Sequence, residues 1–173
     1  MALDTTKESR WYAAYTKPRN EKKVYDRLVD TGIETYLPLQ RVIKQWSDRK
    51  KMVEEPLFRS YIFVKIKLKD YYNVLNTFGV VRFITFEGKA VPIPENQIIL
   101  IKQLLEQNIE VESVDESLEP GTMVEVKLGS LIGLTGELIE HKGKKKVVVR
   151  FEHISHSLLV TLPATYVTKT VEK

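Results

Sequence analysis

Apolar and polar positions alternate with a period of two across Leu57–Ile66, which predicts a β-strand. Phe58, Ser60, Ile62, Val64 and Ile66 fall on one face, suited to a core. Arg59, Tyr61, Phe63 and Lys65 fall on the other. That second face mixes aromatics with cations. Either a helix covers Tyr61 and Phe63, or they anchor an interface, where Tyr, Phe and Arg are enriched.

The same patterning organises the rest of the first hundred residues. Trp11 to Thr16 predicts a strand, and Pro18 opens a helix whose apolar positions Val24, Tyr25, Leu28 and Val29 keep helical spacing up to a Gly32 C-cap. Arg41–Trp46 and Lys51–Glu54 flank the turn-forming run Ser47–Lys50 and predict a hairpin with a cationic tip. A short helix over Lys69–Thr77, a strand over Val80–Phe86, a turn at Glu87–Lys89 and an amphipathic helix carrying Ile98, Ile101, Leu104 and Leu105 complete the series. Strands interleaved with helices predict an α+β fold, a mostly antiparallel sheet covered by helices, over residues 9–106.

Residues 107–119 are acidic with little periodicity after Ile109, and the run Glu106–Glu119 holds six acids and no base, so it reads as a linker. From Pro120 the pattern becomes short strands and tight turns. Val124–Lys127, Glu137–Glu140, Val147–Phe151, Leu158–Leu162 and Tyr166–Thr168 predict a small five-stranded, SH3-like β-barrel over residues 120–173.

Charge sharpens this division. Residues 1–105 hold 19 Lys and Arg against 12 Asp and Glu, whereas residues 106–173 hold 8 against 11, so the net +4 of the chain conceals a basic first part and an acidic second. A basic surface favours polyphosphate partners. Arg19, Lys23 and Arg27 recur every four residues along the predicted first helix, with Lys17 and Lys22 beside them, as a solvated face or as a phosphate-binding stripe. The 173 residues include no cysteine, which excludes disulfides and thiol chemistry. No apolar run approaches the ~18 residues that cross a membrane, and the polar start does not read as a signal peptide, so a cytoplasmic protein without membrane contact is expected.

No catalytic constellation is present, so no enzyme and no cofactor are expected. His141, His153 and His156 lie in the predicted barrel; His153 and His156 are three apart in a predicted turn with no third ligand suggested nearby, so they read as surface histidines. The spacing of Gly129, Gly133 and Gly136 lacks the Lys-Ser/Thr of a phosphate loop and precedes a strand, so these glycines read as corner formers. Leu131, Ile132 and Leu134 between them are too apolar for an ordinary turn; they fill the barrel core or expose a patch to a partner.

Arg10–Pro18, Gly32–Pro38 and Glu55–Val64 follow the order of motifs at the start of NusG-type transcription elongation factors, which they closely resemble, and Val124–Gly136 looks like the KOW motif that follows in that family. The resemblance implies an NGN-like domain, then a KOW barrel. It implies contact with the RNA polymerase clamp through Tyr15, Tyr61 and Phe63. It places Lys17, Arg19, Lys22, Lys23 and Arg82 near the upstream DNA fork and the non-template strand, with Arg27 extending the stripe. The KOW loop, with Leu131, Ile132 and Leu134, is then the contact for ribosomal protein S10 or the termination factor Rho. Glu55-Pro56-Leu57-Phe58-x-x-Tyr61-Ile62-Phe63-Val64 is closer to specialised paralogues such as RfaH and the UpxY antiterminators. A monomeric, operon-specific antiterminator is the expectation. The other reading is an RNA-binding or ribosome-associated KOW protein, docking through the cationic run Lys142–Lys146.

Overall fold

The computed structural model describes residues 8–114, 120–151, 154 and 156–170. The chain divides into two compact units, Met1–Leu105 and Glu106–Lys173.

The first unit opens with β1 (Arg10–Thr16), α1 (Glu21–Asp30) and β2 (Glu34–Tyr36), then the hairpin β3 (Leu39–Gln45) and β4 (Lys50–Pro56). There follow β5 (Tyr61–Ile66), α2 (Tyr71–Leu75), β6 (Val80–Phe83), the small pair β7 (Thr85–Phe86) and β8 (Lys89–Ala90), β9 (Pro92–Ile93) and α3 (Glu95–Glu106). Strands β2, β5, β1 and β6 lie side by side in that order, with β9 also on β1, and every pairing is antiparallel. On one face Tyr12, Ala14, Ile62, Val64 and Ile66 pack with Val24 and Leu28 of α1, Val74 of α2 and Phe83. Helix α1 ends in a Schellman motif: Gly32, at φ +79°, and Ile33 donate their N–H groups to Val29 and Leu28.

Two predicted elements change at their starts. The strand expected from Leu57 begins only at Tyr61, because Leu57–Ser60 form a bend and turn with Ser60 left-handed at φ +63°. That turn cancels the parity upstream of it, so Phe58 meets Phe63 edge-on at 5.7 Å instead of sharing a face with Ile62. The helix expected from Pro18 begins at Glu21; Arg19, at φ +62°, lies in the preceding turn and is not on the helix.

The second unit is a six-stranded antiparallel sheet of β10 (Val111–Val114), β11 (Thr122–Val126), β12 (Thr135–His141), β13 (Lys144–Phe151), β14 (His156–Val160) and β15 (Val167–Lys169). The five strands expected from the sequence are joined by β10, inside the segment read as a linker. Backbone pairing with β14 holds it, and Glu112 accepts hydrogen bonds from Lys142 at 2.8 Å and Lys146 at 3.1 Å. These two ammonium groups pull the Glu112 carboxyl below its ordinary pKa. The acids of this segment are thus partly consumed as barrel contacts.

Candidate functional site

Cross-strand register decides which side chains share the second face of the first unit's sheet. Trp11 lies opposite Lys65, Ala13 opposite Phe63 and Tyr15 opposite Tyr61. Helix α3 runs over the Trp11 end: Glu95 pairs with Lys65 at 2.9 Å, and the Lys102 ammonium lies 5.6 Å from the Trp11 ring and 5.1 Å from Tyr36. Ile98, Ile101 and Leu104 of this helix are buried.

Phe63, between Tyr36 at 6.4 Å and Phe58 at 5.7 Å, is 0% exposed. The expectation that Phe63 stands off the core is corrected. Lacking any accessible atom, it is core, and it supports the surface without forming it.

One row further along the same face lie Tyr61, Tyr15 and Arg82, contributed by β5, β1 and β6. The two tyrosine rings meet edge-on at 5.4 Å, and the Arg82 guanidinium lies 5.7 Å from the Tyr15 ring. Both tyrosines are half-buried and Arg82 is exposed. Edge-to-face packing and a cation–π contact fix the rings without hiding them. Such a rigid row, apolar in body and polar at the hydroxyl tips, is suited to being covered by another protein.

The basic residues separate into two groups. An open groove of about 690 Å³ between the start of α1 and the β3–β4 hairpin is lined by Arg19, Lys22, Lys23, Lys44 and Arg59 with Glu54 and Glu55. Lys22 donates to the Glu54 carbonyl at 3.0 Å, Lys44 pairs with Glu55, and Glu54 pairs with Arg41. Among the described residues Arg19, Lys23 and Arg59 form no ion pair. The groove is therefore open to an anion, and Lys44 and Arg59 join it although the spacing along α1 could not indicate them.

Arg27 lies apart from this groove, beside Phe78. Its Nη1 donates to the Phe78 carbonyl at 3.0 Å and its guanidinium lies 5.2 Å from the Phe78 ring, so it secures the turn before β6. Lys17 approaches the same ring at 5.0 Å. Phe78 itself was missed; the one sign of it in the sequence is an aromatic within the polar turn Asn76-Thr77-Phe78-Gly79.

In the second unit the loop before β12 divides its apolar residues. Leu131 is 4% exposed and fills the core, Ile132 is 67% exposed, and Leu134 is half-buried. Leu131 is thereby removed from the set available to a partner. His156 holds the Ile154 carbonyl at 2.7 Å, and His153 lies outside the described residues. Among the described residues no group of three or more acidic or histidine side chains could hold a metal. No described helix is long and apolar enough to cross a membrane.

Residues 9–102 match the family described as transcription termination factor NusG. The transcription termination/antitermination protein NusG of Streptococcus pyogenes serotype M3 is 26% identical over 149 residues, covering 78% of this chain and 82% of the relative. That of Chlamydia pneumoniae is 27% identical over 154 residues, covering 81% and 84%. Thermotoga maritima NusG aligns in structure with a TM-score of 0.58 and 23% identity over 94% of this chain and 97% of that one, a likeness of fold.

Proposed function

The chain belongs to the NusG family, and from that membership we propose that it is a transcription termination/antitermination factor that rides on elongating RNA polymerase. Its first unit binds the clamp through the row Tyr15, Tyr61 and Arg82. The observation that carries this reading is the half-exposed tyrosine pair at 5.4 Å, held rigid at the uncovered end of an otherwise buried face. A factor bridging the clamp across the DNA channel needs only higher affinity for the active state than for the paused one, and no bond chemistry.

The basic groove beside this row supplies a second contact, with the phosphates of the upstream fork or the non-template strand, through Arg19, Lys22, Lys23 and Arg59. Ile132 and Leu134 of the barrel loop take the further partner, ribosomal protein S10 or Rho. The likeness of Glu55–Val64 to RfaH and the UpxY antiterminators favours an operon-specific antiterminator acting in the cytoplasm as a monomer.

Pull-down of polymerase from cell extract tests the reading. Wild type is expected to retain polymerase subunits and Tyr61→Ala to lose them; ribosomal RNA without polymerase would favour the ribosome-associated alternative. That alternative is weakened because Glu112 already engages Lys142 and Lys146 of its cationic run. Mapping occupancy along the genome separates a few operons from general association.

A further inference from the structure

Phe78 is 67% exposed, in a turn where a buried aromatic would be the ordinary outcome. The ring is nevertheless held. Arg27 grips the Phe78 carbonyl at 3.0 Å, and the N–H of Lys17 donates to the Gly79 carbonyl at 2.9 Å. Gly79, at φ +102°, sits so close to α1 that a Cβ there would stand 2.7 Å from Cγ2 of Val24. The turn is thus pinned to α1 on one side and to the end of β1 on the other.

Two cations, Lys17 at 5.0 Å and Arg27 at 5.2 Å, flank this fixed and accessible ring. A nucleic-acid strand uses both: the base stacks on the ring and the phosphates on either side meet the cations. Lys23 extends the positive charge, because it precedes Arg27 by four residues on α1 and also lines the anion groove.

We propose that Phe78 is a stacking platform for one unpaired base of a single-stranded nucleic acid, with Lys17 and Arg27 receiving the adjoining phosphates. The inference rests on the reading of this chain as a factor working where polymerase exposes a single DNA strand. It adds a base contact to the phosphate contacts offered by the charged side chains of the groove. Stacking is tolerant of sequence, so the platform fixes the strand's path more than its identity.

Fluorescence anisotropy of the full chain with a labelled oligonucleotide of about twelve deoxythymidines tests it, a length within the usual site size. Phe78→Ala should weaken binding about tenfold with the salt slope unchanged, and Phe78→Trp should bind at least as tightly as wild type. Lys17→Gln should instead lower the slope by about 0.7. An abasic strand of the same length should bind wild type as weakly as the thymidine strand binds Phe78→Ala. Equal binding of wild type and Phe78→Ala, equal binding of abasic and thymidine strands, or no binding by wild type would each overturn the platform. So would a Phe78→Ala protein that keeps the oligonucleotide and loses polymerase, which would make the ring a protein contact. Failure of the clamp reading is seen separately, as a Tyr61→Ala protein that still binds polymerase.

Discussion

The backbone N–H of Ser60 donates to Oε1 of Glu21 across 39 residues of sequence, at 2.8 Å and out of contact with solvent. Glu21 is the first residue of α1, and Ser60 is the left-handed residue that ends the turn before β5. Ser60 also accepts a hydrogen bond at its carbonyl from the Thr16 N–H at 2.8 Å. One residue is therefore tied to the start of α1 and to the end of β1, and the next residue is Tyr61. The tyrosine row owes its position to this junction.

Glu21→Ala leaves a buried N–H without a partner and should destabilise the first unit by about 1–3 kcal/mol, read as a lower midpoint in urea unfolding. Glu21→Gln keeps an acceptor oxygen and should cost less. Ser60→Gly relieves the left-handed backbone and should be neutral or stabilising by up to about 1 kcal/mol. A stabilised Glu21→Ala protein would show that the junction does not hold the turn.

Phe63→Ala and Tyr61→Ala should separate cleanly although the residues are neighbours on one face. Removing the fully buried ring of Phe63 should cost about 3–5 kcal/mol of stability. Tyr61→Ala should melt near wild type and bind polymerase at least tenfold more weakly, the usual effect of truncating an interface anchor. Thermal melts beside polymerase titrations decide it; a folded Phe63→Ala protein with a Tyr61-like binding defect would return Phe63 to the interface.

Much of this was legible from the alternation of residue types. The core face of β5, the helical spacing of α1 up to Gly32 and the five barrel strands all follow from local patterning. What patterning missed came from tertiary geometry. The left-handed Ser60 resets strand parity, and nothing in the residue type Ser announces it. Phe63 looked exposed because its face carries cations, yet Lys65 is neutralised by Glu95 and Lys102 lies on aromatic rings, so α3 covers a mixed face without stranding charge. Strand β10 was hidden by its acid Glu112, whose partners Lys142 and Lys146 lie 30 and 34 residues further on.

Acid should loosen the barrel through Glu137. Its carboxylate accepts hydrogen bonds from Arg150 Nε at 2.7 Å and Nη2 at 2.9 Å, and from the Gly121 N–H at 3.0 Å. Arg150 first, and Gly121 second, bring its pKa down from 4.5 to about 2. A carboxyl whose pKa is lower folded than unfolded contributes stability above its unfolded value and loses it as the pH falls through the folded one. That contribution, about 2 kcal/mol after allowing for partial solvent access, should be complete above about pH 5 and vanish towards pH 2. Stability profiles of wild type and Glu137→Gln should converge across this window; parallel profiles would remove Glu137 as the source.

The barrel's corner depends on a glycine for room, not for backbone angle, and that distinction can be measured. A Cβ on Gly136 would lie 2.5 Å from the Val148 carbonyl oxygen and 2.7 Å from Cγ1 of Val147, so the neighbouring strand β13 would have to move. Gly133, three residues earlier, has open space around it but sits at φ +88°. Gly133→Ala should therefore cost only the left-handed backbone term of about 1–2 kcal/mol. Gly136→Ala should cost at least as much as ordinary overpacking, about 1–3 kcal/mol, and spend it on the β12–β13 pairing. Amide hydrogen exchange on the intact protein reads the difference by position. Gly136→Ala should lose protection along Glu137–His141 and Lys144–Val148, whose register is set at that corner. Gly133→Ala should confine its loss to the loop that carries Ile132. Equal protection patterns in the two variants would show that the close approach of β13 to Gly136 does not govern the barrel, and the exposure of Ile132 to a partner would then have to be explained without it.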